Sequence, residues 1–238
     1  MKKYELTNNS KTVFGKELFQ IRALVDFGDV KAGELGGYIE KEENLIQCDE
    51  SWVYNNAMVH DDAVIYGNAR VYGHASVYGH ANVSGHADVY GNAMVYDTAM
   101  ICGNAMIYGN ALIHGDAVVH GYAMVHDDAE INGDVNIYGS ADIYGSAKIH
   151  GNASVSGNAR ITSDAKIISN ADLLQITGLG SSHRTTTVYR TKNGIEIVCG
   201  CFRGDLEEFK TRVIETRKGK IRDEYLKFAE LIKIYFCL

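Results

Sequence analysis

Residues 71–82 run Val71-Tyr72-Gly73-His74-Ala75-Ser76 and then Val77-Tyr78-Gly79-His80-Ala81-Asn82, a six-residue phrase followed by its near copy. The phrase continues without insertion from Val53 to Asp172, 120 residues or twenty hexads. Its first position is Val or Ile in all twenty units, ten of each, and its fifth is Ala in nineteen, Val135 being the exception. Position three is Gly in fourteen units and otherwise Asn55, Asp61, Asp97, Asp127, Ser163 or Ser169. Most of these residue types tolerate positive φ or favour turns. Between corners, the order Ala, variable, Val/Ile, Tyr/His alternates with the period of two that a half-buried strand requires. Ala and the β-branched residue face one way; the variable residue and the Tyr or His face the other. One hexad cannot bury its Val alone, whereas coils of hexads stacked on one another share a continuous core and pair their backbones in parallel. The repeat predicts a parallel β-helix.

The rest of the composition agrees. The chain has 238 residues, 25 glycines and no proline, with 46% hydrophobic and 22% charged residues, as in soluble globular proteins. The lack of proline suits a parallel ladder that needs its N–H groups. No apolar run of about 18 residues occurs and Met1-Lys2-Lys3-Tyr4-Glu5 leads into no signal region, so the expectation is a cytoplasmic protein without a membrane span. Five scattered cysteines (Cys48, Cys102, Cys199, Cys201, Cys237) do not suggest a disulfide framework.

The hexads resemble those of the hexapeptide-repeat superfamily, in which an aliphatic residue is followed four positions later by a small one. The resemblance implies a left-handed parallel β-helix with three hexads per coil. Twenty hexads then give between six and seven coils, a prism about 32 Å long at the usual spacing of paired strands. More narrowly, Asp29-Val30-Lys31-Ala32-Gly33-Glu34-Leu35-Gly36-Gly37-Tyr38-Ile39, then Trp52-Val53-Tyr54 and the Tyr-Gly-Asn-Ala-Arg type of hexad are similar to the YdcK-like proteins of bacteria and phages, which are labelled acyltransferases. That resemblance implies a phage or prophage origin, and then a host-cytoplasmic location.

The flanks read as separate units. Residues 1–52 contain short strands at Lys3–Leu6 and Phe19–Val25, with turns at Gly33, Gly36 and Gly37, and are expected to cap the open end of the helix. Residues 53–172 are the β-helix. Residues 173–238 read as a small α+β domain: a hairpin of Thr185–Thr191 and Ile195–Phe202 around Lys192-Asn193-Gly194, a helix over Asp205–Arg217 and a second over Tyr225–Tyr235. The fold class is therefore mainly β. Acidic against basic residues number 10 to 7, 12 to 4 and 8 to 12 in the three segments, or −3, −8 and +4. The acidic prism makes direct nucleic-acid binding unexpected, and mimicry of nucleic acid is a minor alternative. Arg184, Arg190, Arg203 and Arg212, with Arg217 and neighbouring lysines, are candidates for binding an anion.

Hexapeptide acyltransferases use a histidine between two prisms as a general base, with an acyl thioester along the coils. The resemblance thus offers His114, His120 and His126 as catalytic candidates and acetyl-coenzyme A as the cofactor. Three hexads per coil puts these residues on three different faces, about 15 Å apart, so they cannot converge within one chain. His74, His80 and His86 are kept from sharing a zinc ion by the same geometry, and no metal is expected. Cys199-Gly200-Cys201 is a weak metal or redox signal. The repeat has no loop to fold over an acceptor.

Stacking at 18-residue intervals instead puts Tyr54, Tyr72, Tyr90, Tyr108, His126 and Tyr144 in one ladder, beside Arg70, Asp88, Met106 and Met124. A second face carries Tyr78, Tyr96, Met94 and Leu112, and a third Met100, Cys102 and Val118. Tyr and Met are enriched in interface cores, and an apolar belt of this kind marks an interface. The expectation is a non-catalytic, self-associating β-helix, a parallel trimer by preference, that binds or sequesters a host protein or a small anionic ligand without a cofactor. A coenzyme-A-dependent acyltransferase with an intersubunit histidine is the alternative.

Overall fold

A computed structural model describes residues 2–162, 164–180 and 184–238. Twenty two-residue strands, β4 (Trp52–Val53) to β23 (Lys166–Ile167), recur every six residues. Each but the last three pairs in parallel with the strand 18 residues on, as Arg70 with Asp88 and Asp88 with Met106. Three hexads therefore make one coil, and the coils form three flat faces. The first face runs from β4 to β22 (Arg160–Ile161) in steps of three, the second from β5 (Met58–Val59) to β23, and the third from β6 (Val64–Ile65) to β21 (Ser154–Val155).

The alternation read from the sequence fixes what lies inside. Every first-position Val or Ile from Val53 to Ile167 is fully buried, and the fifth-position residues from Ala57 to Ala165 are at most 3% exposed. Burying one such branched side chain contributes about 1.5–3 kcal/mol. At the corners the fourteen third-position glycines, from Gly67 to Gly157, have positive φ, as do Asn55, Asp61, Asp97 and Asp127. Stacking makes the interior corners tight: a Cβ on Gly109 would lie 2.7 Å from the amide nitrogen of Asp127 in the next coil. In the penultimate hexad the positive φ belongs to Asp164, and the predicted corner residue Ser163 lies outside the described residues.

Parallel stacking begins ahead of the first full hexad. Strand β1 (Tyr4–Val13) pairs antiparallel with β2 (Lys16–Ala23), and β2 with β3 (Leu35–Ile39). Strand β3 then lies parallel on β5, with Ile39 opposite Val59, and Leu45 bridges Ile65. Gly37 occupies the place of the small fifth-position residue, where a Cβ would lie 2.6 Å from the Ala57 carbonyl oxygen. The first coil is thus a variant of the repeat. Both strands of the hairpin differ from the spans read in the sequence. Strand β1 runs seven residues beyond Leu6 through polar Thr7–Lys11, because it is an edge strand whose outer side needs no apolar residue.

The C-terminal unit is a four-stranded antiparallel sheet, β24 (Leu173–Leu179), β25 (Arg184–Thr191), β26 (Gly194–Cys199) and β27 (Phe202–Gly204), followed by α1 (Leu206–Thr216) and α2 (Gly219–Phe236). The hairpin expected around Lys192-Asn193-Gly194 is present, with Thr191 opposite Gly194. Its second strand ends at Cys199, however, and a turn at Gly200-Cys201 starts β27. Asp205 caps α1 as its position suggested, accepting from the Glu208 N–H at 2.9 Å. Helix α2 starts six residues before the expected Tyr225. One side of the sheet, through Leu173, Tyr189 and Val198, joins the solenoid core. The other packs Val188, Ile195 and Ile197 against Phe209, Phe228 and Ile232 of the helices. No helix is long and apolar enough to cross a membrane among the described residues.

Candidate functional site

Strand alternation turns each outward aromatic onto the one in the next coil. On the first face Tyr72, Tyr90, Tyr108, His126 and Tyr144 form an uninterrupted parallel stack with centroids 4.7, 4.9, 4.5 and 5.2 Å apart, and Tyr54 meets Tyr72 edge-on at 6.4 Å. The second face stacks His60, Tyr78, Tyr96 and His114. On the third, His120 lies over Tyr138 at 5.3 Å. Partial burial raises the phenol pKa values of Tyr78, Tyr90, Tyr96 and Tyr108; for Tyr72, burial and then the Asp88 carboxylate push it up to about 12. The rings form a close-packed surface.

The three catalytic candidates occupy three faces, as the 18-residue register requires. Each is a rung of a ladder. His126 has Nδ1 3.2 Å from Asp127 and Nε2 3.1 Å from Asp142. His114 sits 3.6 Å from Asp97 and 4.0 Å from Glu130. His120 has no carboxylate within 4.0 Å among the described residues. The remaining outward positions divide by charge. Arg70 and Asp88 form a two-pronged ion pair at 2.8 and 2.7 Å, and Lys148 pairs with Glu130 at 2.5 Å, which holds the Glu130 carboxyl below its usual range. Between these pairs, the same coils carry Met94 and Leu112 on the second face, Met100 and Val118 on the third, and Met106 and Met124 on the first. Met94 and Met100 are 38% and 44% exposed and the other four half-buried, so the apolar residues girdle the middle of the prism.

One acidic cluster escaped the sequence reading. Glu40, His60 and Asp61 place their ligand atoms within 4.8 Å of one another. The Lys16 ammonium already sits among them, 3.6 Å from Glu40 and in contact with Asp61. The N-terminal hairpin thus covers a histidine that the repeat alone would expose: His60 is 4% exposed, and burial followed by the Lys16 charge lowers its pKa.

The C-terminal arginines separate into two sets. Arg190 is used structurally, with Nε 3.2 Å from Asp172, a hydrogen bond to the Phe236 carbonyl and its guanidinium over the Phe236 ring. Arg203, Arg212 and also Arg217 line a cavity of about 570 Å³ between the β26–β27 turn and the helices, floored by Phe209, Val213 and Tyr225. The side chain of Arg184 lies outside the described residues. Cys199 and Cys201 line the same cavity, Cys199 accepting from the Thr186 hydroxyl at 3.1 Å. Only the fold could bring Arg217 to Arg203, since they lie on different elements 14 residues apart.

The coil geometry defines a β-solenoid with three strands per turn. Within that class, residues 63–79, 99–115 and 105–121 match a family model described as the YdcK Beta solenoid repeat. No curated protein matches the chain.

Proposed function

We propose that the protein is a non-catalytic, self-associating β-solenoid, a phage- or prophage-type accessory protein that acts by binding a protein or a small anionic ligand. The carrying observation is the methionine girdle: six apolar side chains in adjacent coils, bounded along the axis by Arg70–Asp88 and Glu130–Lys148, on a rigid prism. Apolar surface bounded by ion pairs is the pattern of an association surface, and a parallel trimer would bury one face of each subunit. Light scattering on the full chain tests it. A trimer mass at micromolar concentration that falls to monomer in Met100→Lys with Leu112→Lys is expected; a monomeric wild type overturns self-association.

One observation favours the second reading, a coenzyme-A-dependent acyltransferase. The carboxylates at the two nitrogens of His126, Asp127 at 3.2 Å and Asp142 at 3.1 Å, lie closer than those at His114, 3.6 and 4.0 Å away, and a close carboxylate would orient and polarise a general base. Calorimetric titration with acetyl-coenzyme A, repeated on His126→Ala, separates the two. Saturable binding that the substitution abolishes would replace the non-catalytic reading.

A further inference from the structure

The geometry points to the cavity of the C-terminal domain as a binding site for a mononucleotide, a flat base joined through a sugar to phosphate. This deepens the small-ligand part of the proposed function and is independent of self-association, which light scattering reads separately.

Charge is the first argument. Elsewhere in this domain Arg190 is spent on Asp172 and Lys210 on Glu207. Arg212 and Arg217, on the same cavity, make no ion pair among the described residues. Arg203 commits only its Nε, to Glu196, and its terminal nitrogens make no hydrogen bond among the described residues. Of the nearby acids only Glu196 pairs with the rim, at Arg203, among the described residues. Glu207 is held by Lys210, Glu208 accepts from the Asp205 N–H at the helix cap, and Glu215 lines the adjacent groove outside the cavity. Arg212 and Arg217 share this concavity with an Arg203 whose charge Glu196 already balances, so two guanidiniums are left for an added anion, and the planar guanidinium fork matches phosphate oxygens in pairs.

Arg203 is also positioned in advance. The Thr162 N–H donates to the Tyr189 hydroxyl at 3.2 Å, that hydroxyl donates to Glu196 at 2.5 Å, and Glu196 accepts from Arg203. Tyr189 is fully buried. The last coil of the solenoid thus anchors one wall of the cavity, so less order must be imposed when a ligand arrives.

The floor supplies the rest of the ligand's chemistry. Phe209 and Tyr225 are 2% and 7% exposed, Phe202 stands beside Phe209 with the ring centroids 5.4 Å apart, and Val213 also lines the cavity. A simple anion would use the rim alone and leave the half-buried Phe202 ring uncovered. A ring covering the aromatic and aliphatic floor while its phosphates meet the arginines uses both, and about 570 Å³ is in the range of small-molecule sites.

The test is calorimetric titration of the full chain with ADP, adenosine and inorganic phosphate in low-salt buffer. One ADP per chain is expected, bound at least tenfold more tightly than adenosine or phosphate. Arg212→Gln with Arg217→Gln should weaken ADP at least tenfold, whereas Lys218→Gln with Lys220→Gln, just outside the cavity, should leave it unchanged. Both arginines are exposed, so the thermal midpoint serves as the folding control, and single Arg212→Gln is read if the double variant unfolds. No saturable ADP binding up to millimolar concentration, phosphate binding as tight as ADP, or equal losses in the two double variants would each overturn the assignment.

Discussion

The two ends of the solenoid are closed by opposite chemistry. At positions two, four and six of a hexad the N–H donates to the coil that follows, as Tyr54 does to Val71, Asn56 to Gly73 and Met58 to Ala75. The first coil is therefore left with outward carbonyl oxygens and the last with outward N–H groups. The N-terminal cap answers with donors. The Lys3 ammonium, 3% exposed, donates to the carbonyls of Asp49 and Ser51 and to the Asp49 carboxylate, the Tyr4 hydroxyl to Leu45, and the Asn44 amide to Asp61 and Ala63. The C-terminal closure answers with acceptors. Asn170 Oδ1 takes the Ser154 N–H at 2.7 Å, the Asp172 carboxylate takes Ile168 and Ser169, and the Tyr189 hydroxyl takes Thr162. A parallel stack is polar along its axis, so a cap that suits one end cannot serve the other.

That contrast can be broken by substitution, and the largest effect belongs to the buried cation. Lys3→Met keeps the length of the side chain but removes the counter-ion of the Asp49 carboxylate, which keeps its Ser51 and Gly67 donors, and the donor to two carbonyls; a loss of about 3–5 kcal/mol is expected in urea unfolding, the range for a broken buried ion pair. Next come the two asparagines. Asn44 is fully buried with two carbonyls depending on its amide, so Asn44→Ala should cost about 2–3 kcal/mol by the same measurement, while Asn170→Ala, at an exposed site, should cost about 1 kcal/mol or less. Equal losses would mean that the ends are not distinguished as described.

Corners sharpen the comparison between interior and end. Gly109 and Gly157 share positive φ, at 71° and 62°, but a Cβ on Gly157 would meet nothing within 4 Å. Gly157→Ala should therefore lose about 1 kcal/mol, for backbone conformation alone, and Gly109→Ala about 1–3 kcal/mol more, for overpacking. Melting temperatures of the two variants give the ordering. The smallest effect is with pH. Burial lowers the His60 pKa below that of the unfolded chain, where imidazole titrates near its ordinary value of 6.5. Between the two values the unfolded chain binds more protons, so stability should rise with pH through this window and be lost as pH falls below about 6.5. The charged groups facing the imidazole are Asp61, Glu40 and Lys16. His60→Gln should flatten this part of the stability profile.

The repeat was legible down to individual rungs, because Val/Ile at position one and Ala at position five leave one register for the whole prism. The Tyr72–Tyr144 ladder and the separation of His114, His120 and His126 follow from counting by 18. The caps were not legible. Two extra residues between Leu45 and Val53 hide the first coil from any count by six, and nothing about a lone Lys3 or Asn44 in a sequence announces that carbonyls point at it. Strand β24 escaped because Leu173-Leu174-Gln175-Ile176 lacks the strict alternation that marks a half-buried strand. The arginine cavity was half visible. Arg203 and Arg212 stood out by charge, but that they share a wall with Arg217 while Arg190 turns to Asp172 is decided by tertiary packing.

The 18-residue coil also makes the protein a graduated spacer. Removing or adding 18 residues within the prism would move the N-terminal hairpin and the arginine cavity together or apart by about 4.8 Å, the spacing of paired strands, with every face still in line. Removing or adding six would instead turn everything beyond the change onto the next face. The reach between the two ends and the angle between them are thus set independently, one by whole coils and the other by single hexads.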